Sequence, residues 1–201
     1  MKIAFDENVP IALVSVFTTF ANERQLKRKI GAIQVVSAVE YTPKKTDEDY
    51  KPNNDVPWIK RFAAAGGKAI VSGNTQMRFV PHERMALVQN GMLVFFFDSK
   101  WNEWDFFRKV SLLIYHWPAI AARIKGGRAP AFWYIPLSWN EKAKLRKVPT
   151  EDPRLIKAKK AAKPRRAPPK KAPVKETPPP IVSGQTSFMD LLEPNKDKSN
   201  G

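Results

Sequence analysis

The chain has 201 residues, with 35 Lys and Arg against 19 Asp and Glu, and its formal net charge is +16. It contains no cysteine, which excludes disulfides, cysteine-ligated zinc or iron–sulfur sites and a thiol nucleophile. The hydrophobic fraction of 43% is sufficient for the core of one ordinary domain.

The first residues form a short apolar run. Lys2 to Phe5 is followed at once by Asp6 and Glu7, so the run predicts a buried strand and lacks the length of a secretory signal peptide. The longest apolar run, residues 92–97, is also far shorter than the roughly 20 residues that cross a bilayer. We therefore expect a cytoplasmic protein.

The first predicted strand is followed by a helix. Asn8 is expected to cap it, with Pro10 in its first turn, where the missing N–H does no harm. The basic stretch 24–29 then leads to a second strand over Ile33 to Val39, which is rich in β-branched residues.

The rest of the pattern alternates in the same way. It predicts a helix over 55–65, a strand over 68–72, a helix from Pro81 to Asn90, a strand over 92–97, a long helix over 103–125 and an edge strand over 131–135. Pro118 is expected to kink or break the long helix. This order indicates an α/β fold with a mostly parallel sheet of about four to five strands, flanked by helices.

Charge and proline divide the chain into three parts. Residues 141–180 hold fourteen Lys and Arg, four acids and nine of the eighteen prolines. We expect a domain over 1–140, a basic disordered linker over 141–180 and a C-terminal segment over 181–201. The linker is either a solubilising spacer, a protein-binding segment or a nucleic-acid contact. In the last case its basic residues would neutralise phosphates, among them Lys157, Lys159, Lys160, Arg165 and Arg166.

Acidic and amide side chains follow several predicted strands. Asp6 and Glu7 follow the first, Asn74 follows the third, and Asp55 begins the intervening helix, so all are expected at the carboxyl edge of the sheet. Asp55 is also a good N-cap, and Glu7 also complements a helix dipole. Asp98, after the fourth strand, is interpreted as a loop residue rather than a ligand.

Carboxylates that meet without histidine or cysteine suit Mg²⁺ or Mn²⁺, which prefer oxygen ligands. Such an ion polarises a phosphodiester and activates water. The sequence has no P-loop, dinucleotide-binding or nucleophile-elbow motif, and its two histidines, His82 and His116, lack ligand spacing. The acidic residues are therefore the best candidates for chemistry.

Several of these segments resemble one known family. The opening Met1–Pro10, with Asp6-Glu7-Asn8-x-Pro10, resembles the first strand and turn of PIN-like proteins of the VapC and Mut7-C kind. Asp55-x-x-Trp58-Ile59 resembles their helix start, Ile70–Asn74 their third strand and turn, and residues 81–84 their next helix. The resemblance spans roughly residues 1–125.

The resemblance implies a Mg²⁺- or Mn²⁺-dependent endoribonuclease acting on single-stranded RNA, as in the toxins of type II toxin–antitoxin pairs. It assigns Asp6, Asp55 and Asn74 as metal ligands, although the family usually carries Asp where this chain has Asn74. Glu7 is the nearest acid that could compensate, and Arg78 and Arg84 are candidates for RNA contacts. The alternative is a noncatalytic nucleic-acid-binding or protein-interaction module with a degenerate site.

The last segment contains one apolar island. Phe188, Leu191 and Leu192 lie at helical spacing, with Gln185 before them, so residues 185–193 are interpreted as a docking peptide. An antitoxin, a sliding clamp, another protein partner or no partner at all are the alternatives for this segment.

Overall fold

The computed structural model describes residues 1–152 and 154, with residues 29 and 30 described by their backbone. In chain order its elements are β1 (Lys2–Phe5), α1 (Ile11–Ala21), α2 (Arg24–Ile30), β2 (Gln34–Ser37), α3 (Val56–Ala64), β3 (Gly67–Ser72), α4 (Pro81–Gln89), β4 (Leu93–Phe96), α5 (Phe106–Gly126), β5 (Ala131–Tyr134) and β6 (Arg146–Val148). Short 3₁₀ helices span Ala38–Tyr41, Thr75–Arg78 and Ser99–Glu103.

The strands form one six-stranded sheet in the order β2-β1-β3-β4-β5-β6. The first five are parallel, and β6 pairs antiparallel with β5. This confirms the predicted α/β class with a mostly parallel sheet, although six strands are present where four to five were expected. In the described part of the chain, no helix has the length and apolar character of a membrane span.

Helices cover both faces of the sheet. Alternate residues of a strand point to opposite faces, so each inner strand contributes to two buried clusters. Ile3 and Phe5 pack in one buried cluster with residues of α1 and α5, such as Phe17 and Trp117. The second cluster contains residues of α3 and α4 and, from β1, Ala4. Burial on both faces explains why these strands are almost continuously apolar in the sequence.

The predicted cap of α1 is wrong, the basic stretch forms a helix that was not predicted, and the predicted break at Pro118 is absent. Asn8 does not cap α1, whose N-cap is Pro10 without a side-chain hydrogen bond. The basic stretch after residue 23 is a helix, α2, because Glu23 accepts hydrogen bonds from its first backbone N–H groups at 2.8 and 3.1 Å. Pro118 does not break α5: it lies on an exposed position while its neighbour Trp117 is buried in the core.

The sheet also extends beyond residue 140. β6 lies inside the range assigned to the linker, and it gives β5 a neighbour on its outer side, so β5 is not an edge strand. Val148 of β6 is buried with a cluster that includes Phe132. Val148 and Leu145 are buried apolar residues among basic neighbours, which explains why composition alone assigned the segment to the linker.

Candidate functional site

Two neighbouring loops form the centre of the site. Asp6 and Glu7 follow β1, and Gly73 and Asn74 follow β3, which is paired in parallel with β1. Parallel strands end at the same edge of a sheet, so the two loops meet there. The backbone N–H of Asn74 donates to Asp6 Oδ2 at 3.2 Å. The structure therefore brings these two predicted site residues together.

Asp6 is buried behind these loops, with 1% of its surface exposed. Its carboxylate accepts hydrogen bonds from the hydroxyl of Ser72, from the backbone N–H groups of Gly73 and Asn74 at 3.2 Å, and from the Asn8 amide at 3.5 Å. Burial raises the pKa of Asp6 to about 6, and these hydrogen bonds oppose the rise. Asp6 thus fastens the end of β1 to the loop after β3.

A pocket of about 360 Å³ opens beside Asn74. Three carboxylates line it, from Glu7, Asp55 and Glu83. Residues 50–54 with Thr42 and Trp58 complete the wall, in which Lys51 is a cationic member. The pocket therefore collects acidic groups from the ends of three different segments, whereas Asp6 is not among its lining residues.

Asp55 lies directly before α3 and faces the pocket. It does not cap the helix with its side chain; its Oδ1 instead accepts a hydrogen bond from Trp58 Nε1 at 3.0 Å. Burial raises the pKa of Asp55, while the Trp58 bond and the charge of His82 oppose the rise. The side chain of Asp55 therefore does not act as the N-cap that the sequence suggested.

Glu83 is an acid of this pocket that the sequence did not single out. It lies in the first turn of α4 and is 5% exposed, and the backbone N–H of Asp55 approaches its Oε1 at 3.5 Å. Burial, and then the charge of Asp55, raises the pKa of Glu83 to about 7; Glu7 adds to the rise. The only signal in the sequence that could have found Glu83 was its place in the first turn of the helix after β3.

Asn74 uses its side-chain oxygen within its own loop. Its Oδ1 accepts a hydrogen bond from the backbone N–H of Gln76 at 2.9 Å and caps the 3₁₀ helix Thr75–Arg78. This is the atom expected to ligate a metal. The amide nitrogen, a donor suited to a phosphate oxygen, makes no hydrogen bond within the described residues.

The pocket has the donor chemistry of a hard cation but an open arrangement. Within residues 1–152 and 154, no three acidic or histidine side chains converge closely enough to hold an ion. Oxygen atoms of Asp55 and Glu83 nevertheless suit Mg²⁺, which commonly binds through one or two carboxylates and keeps several waters. Burial is the largest cause of the raised pKa of both acids, and a bound cation would oppose it by favouring their ionised forms.

The segment before the pocket loop is held by an ion pair. Arg61 of α3 places Nη2 at 2.8 Å from Asp47 Oδ2, and its Nε donates to Asp49 Oδ2 at 3.0 Å. This fork connects residues 47–49 to α3, next to residues 50–54 that line the pocket.

Two of the predicted RNA contacts, Arg78 and Arg84, lie in the described part, and neither contact is tested. Arg84 is 9% exposed and its Nη1 lies 3.0 Å from Asp152 Oδ2, so its charge is already paired. Arg78 lies in the 3₁₀ helix after Asn74, with its guanidinium 4.3 Å from the centre of the Phe79 ring. Arg78 thus lies next to the site, and its contact with RNA stays a prediction.

The other assignments are quickly placed. Asp98 accepts a hydrogen bond from the Tyr134 hydroxyl, consistent with a structural role. Burial and then this bond raise the pKa of Tyr134 to about 12. The expected tail contacts and docking residues lie outside the described residues: Lys157, Lys159, Lys160, Arg165, Arg166, Gln185, Phe188, Leu191 and Leu192.

Comparison with known proteins gives one match. A family model described as a PIN-like domain matches residues 1–99, which contain β1 to β4 and every lining residue of the pocket. Searches of curated proteins and of solved structures return no match. PIN-like domains are often nucleases, typically use divalent metals and often bind nucleic acid. Residues 1–99, a little under half of the chain, therefore match a PIN-like domain.

Proposed function

We propose that the chain is a divalent-metal-dependent endoribonuclease that cleaves single-stranded RNA at the acidic pocket. The observation that carries the proposal is the gathering of Glu7, Asp55 and Glu83 at the carboxyl edge of the sheet, where burial and mutual repulsion raise the pKa of Glu83 to about 7. Carboxylates in this situation favour a bound cation.

In this proposal, Asp55 and Glu83 hold Mg²⁺ or Mn²⁺, with Glu7 on the pocket wall. The ion would supply the positive charge that neutralises a phosphodiester and promotes ionisation of water. Asn74 offers its amide N–H₂ to a phosphate oxygen. Asp6 acts as a positioning residue, because it fixes the backbone of residues 73 and 74 by hydrogen bonds.

The test is cleavage of a labelled single-stranded RNA in Mn²⁺ or in EDTA. Asp55→Asn and Glu83→Gln remove pocket charge at nearly constant size, and each should lower the rate by at least about tenfold. Glu48→Gln is the matched control, because Glu48 is exposed and does not line the pocket. Metal-dependent cleavage that is unchanged in both pocket variants would refute the assignment.

A second candidate is a noncatalytic nucleic-acid-binding module. Two observations favour it: Asp6 is already engaged by protein donors, and the family's usual third Asp is replaced by Asn74, whose side-chain oxygen caps a helix. RNA binding without cleavage in either Mg²⁺ or Mn²⁺ would support this candidate. The toxin role and an antitoxin that docks on residues 185–193 stay predictions from the resemblance.

A further inference from the structure

Two tryptophans stack on one another beyond the part of the chain that matches the family. Trp104 follows the 3₁₀ helix Ser99–Glu103, and Trp139 follows β5. Their ring centroids are 5.6 Å apart and their planes differ by 11°. Trp139 is 40% exposed. Trp101 and Trp117 are fully buried by contrast, whereas Phe107, near Trp104 in the sequence, is exposed as well.

An arginine completes this group. The guanidinium carbon of Arg108 lies 3.9 Å from the centre of the Trp104 ring and 5.9 Å from that of Trp139. Arg108 is exposed, and its side chain makes no ion pair with any residue among 1–152 and 154. Its charge is therefore available to a phosphate while its plane lies over an aromatic ring.

The loops that carry these residues are anchored. Asp105 accepts a hydrogen bond from the backbone N–H of Arg108 at 2.9 Å and caps α5. The ring of buried His116 donates through Nε2 to the carbonyl of Ser138 at 2.9 Å, one residue before Trp139. The three side chains are thus presented from fixed backbone, which lowers the entropy lost on binding.

The group lies at the same edge of the sheet as the pocket. Trp104 follows β4 and Trp139 follows β5, and these strands lie one and two places from β3 in the sheet. Asn102 links the two places, because its Nδ2 donates to the carbonyl of Gly73 at 3.2 Å and its own carbonyl accepts from Lys109 Nζ at 2.9 Å.

We propose that Trp104, Arg108 and Trp139 form a stacking platform for a base of single-stranded RNA whose backbone continues to the acidic pocket. The identity of the polymer rests on the proposed function; the platform rests on its own geometry. Base–aromatic stacking combined with arginine is the usual way in which proteins hold single strands without reading their sequence. In the sequence Lys100, Lys109 and Lys142 flank these residues, as do the acids Glu103 and Glu141, and Asp105 is engaged as a cap.

The experiment compares two probes with the full-length protein in EDTA, so that no metal-dependent cleavage occurs. One probe is a fluorescent oligouridylate, and the other is an abasic oligonucleotide with the same number of phosphates. We expect Trp139→Leu to weaken oligouridylate binding about tenfold and to change abasic binding less than about twofold. Arg108→Gln should weaken both, and oligouridylate more.

Arg123→Gln is the matched control. It removes the same charge from an arginine that also lies over a tryptophan, with its guanidinium carbon 4.5 Å from the Trp133 ring centre. On α5 it is fifteen residues from Arg108, or about 22 Å along the axis. We expect it to affect both probes equally and slightly. Melting curves of each variant establish that it is folded.

Unchanged oligouridylate binding in Trp139→Leu, or an equal loss for both probes in folded Trp139→Leu and Arg108→Gln, would overturn the platform. Self-association that depends on Trp139, without base-dependent binding, would also overturn it in favour of a protein contact. Base-dependent binding without any cleavage would leave the platform standing and remove the nuclease. Cleavage together with binding that does not depend on the bases would support the nuclease and overturn the platform.

Discussion

At the scale of single residues, the hydroxyl of Ser72 is the side chain on which buried Asp6 depends most. It donates to Asp6 Oδ2, and it is the largest influence opposing the rise in the pKa of that carboxyl. A hydrogen bond to a buried charge contributes more to stability than one between neutral groups. The junction between β1 and β3 therefore depends on this pair.

Ser72→Ala should lower the free energy of unfolding by about 1.5–3 kcal/mol at pH 8, where Asp6 is ionised. Urea denaturation in EDTA measures this. Ser15→Ala is the matched control, because the Ser15 hydroxyl bonds only to the Ile11 carbonyl on exposed helix surface, and it should change stability by less than about 0.5 kcal/mol. Equal effects of the two substitutions would contradict this view of Asp6.

The raised pKa of Glu83 makes stability depend on pH. The folded state holds the proton up to a pH of about 7, whereas the unfolded chain releases it near 4.5, so the stabilisation is lost as the pH rises through this window. Glu83→Gln mimics the protonated acid. In EDTA at pH 8 it should be more stable than the natural chain by on the order of 2–3 kcal/mol, with most of the gain absent at pH 5.

The comparison requires denaturation curves of both proteins at both pH values. Glu48→Gln, at an exposed position, should shift the free energy of unfolding by less than about 0.5 kcal/mol at either pH. A Glu83→Gln variant that is less stable than the natural chain at pH 8 would show that the charged form of Glu83 is favoured in the fold.

At the scale of elements, β6 and the residues after it complete the domain. β6 pairs with β5, and Asp152 lies 3.0 Å from Arg84 of α4. A chain that ends at residue 140 would lose the pairing of β5 with β6 and the ion pair of Arg84 with Asp152. The outer side of β5 would be exposed, and the buried Arg84 would be left unpaired. The boundary predicted from composition therefore falls inside a structural unit.

Truncation tests this directly. A chain of residues 1–140 should melt at least roughly 5 °C below the full-length protein. A chain of residues 1–154 should melt at the same temperature as the full-length protein. Thermal unfolding followed by circular dichroism is sufficient. Identical melting of the two truncated chains would mean that β6 and Asp152 contribute nothing to stability.

At the scale of the whole molecule, the charge is distributed unevenly. Residues 155–180 carry nine Lys and Arg with a single acid, whereas residues 181–201 carry two Lys and three acids. If the basic segment contacts RNA, binding must weaken steeply with salt, because each neutralised phosphate releases counterions. If it is only a spacer, its removal leaves the salt dependence unchanged.

Binding of oligouridylate across a salt series separates these alternatives. Removing residues 155–201 should reduce the slope of log affinity against log salt by up to about 6, the value for nine contacts on a single strand. Removing only residues 181–201 is the control, and it should leave the slope nearly unchanged. Equal slopes for all three chains would identify the basic segment as a spacer.

The sequence by itself was sufficient for the fold class and the family. Apolar runs such as Lys2–Phe5 and residues 92–97, separated by turn residues, determine where strands form, and their alternation with helices determines a parallel sheet. The order and spacing of several motifs, beginning with Asp6-Glu7-Asn8-x-Pro10, indicated the PIN-like family, which the match over residues 1–99 confirms. The VapC and Mut7-C subtype stays a prediction.

Only the tertiary structure decided which side chains meet. Glu83 joins Asp55 across 28 residues of sequence, Arg84 is withdrawn by Asp152, and Trp139 stacks on Trp104. None of these pairings leaves a periodic signal, because each depends on how separate elements pack rather than on local spacing. Asp6 was found from its place after an apolar run, but whether it faces a pocket or the interior depends on its neighbours: Ser72 and the backbone of residues 73 and 74 enclose it.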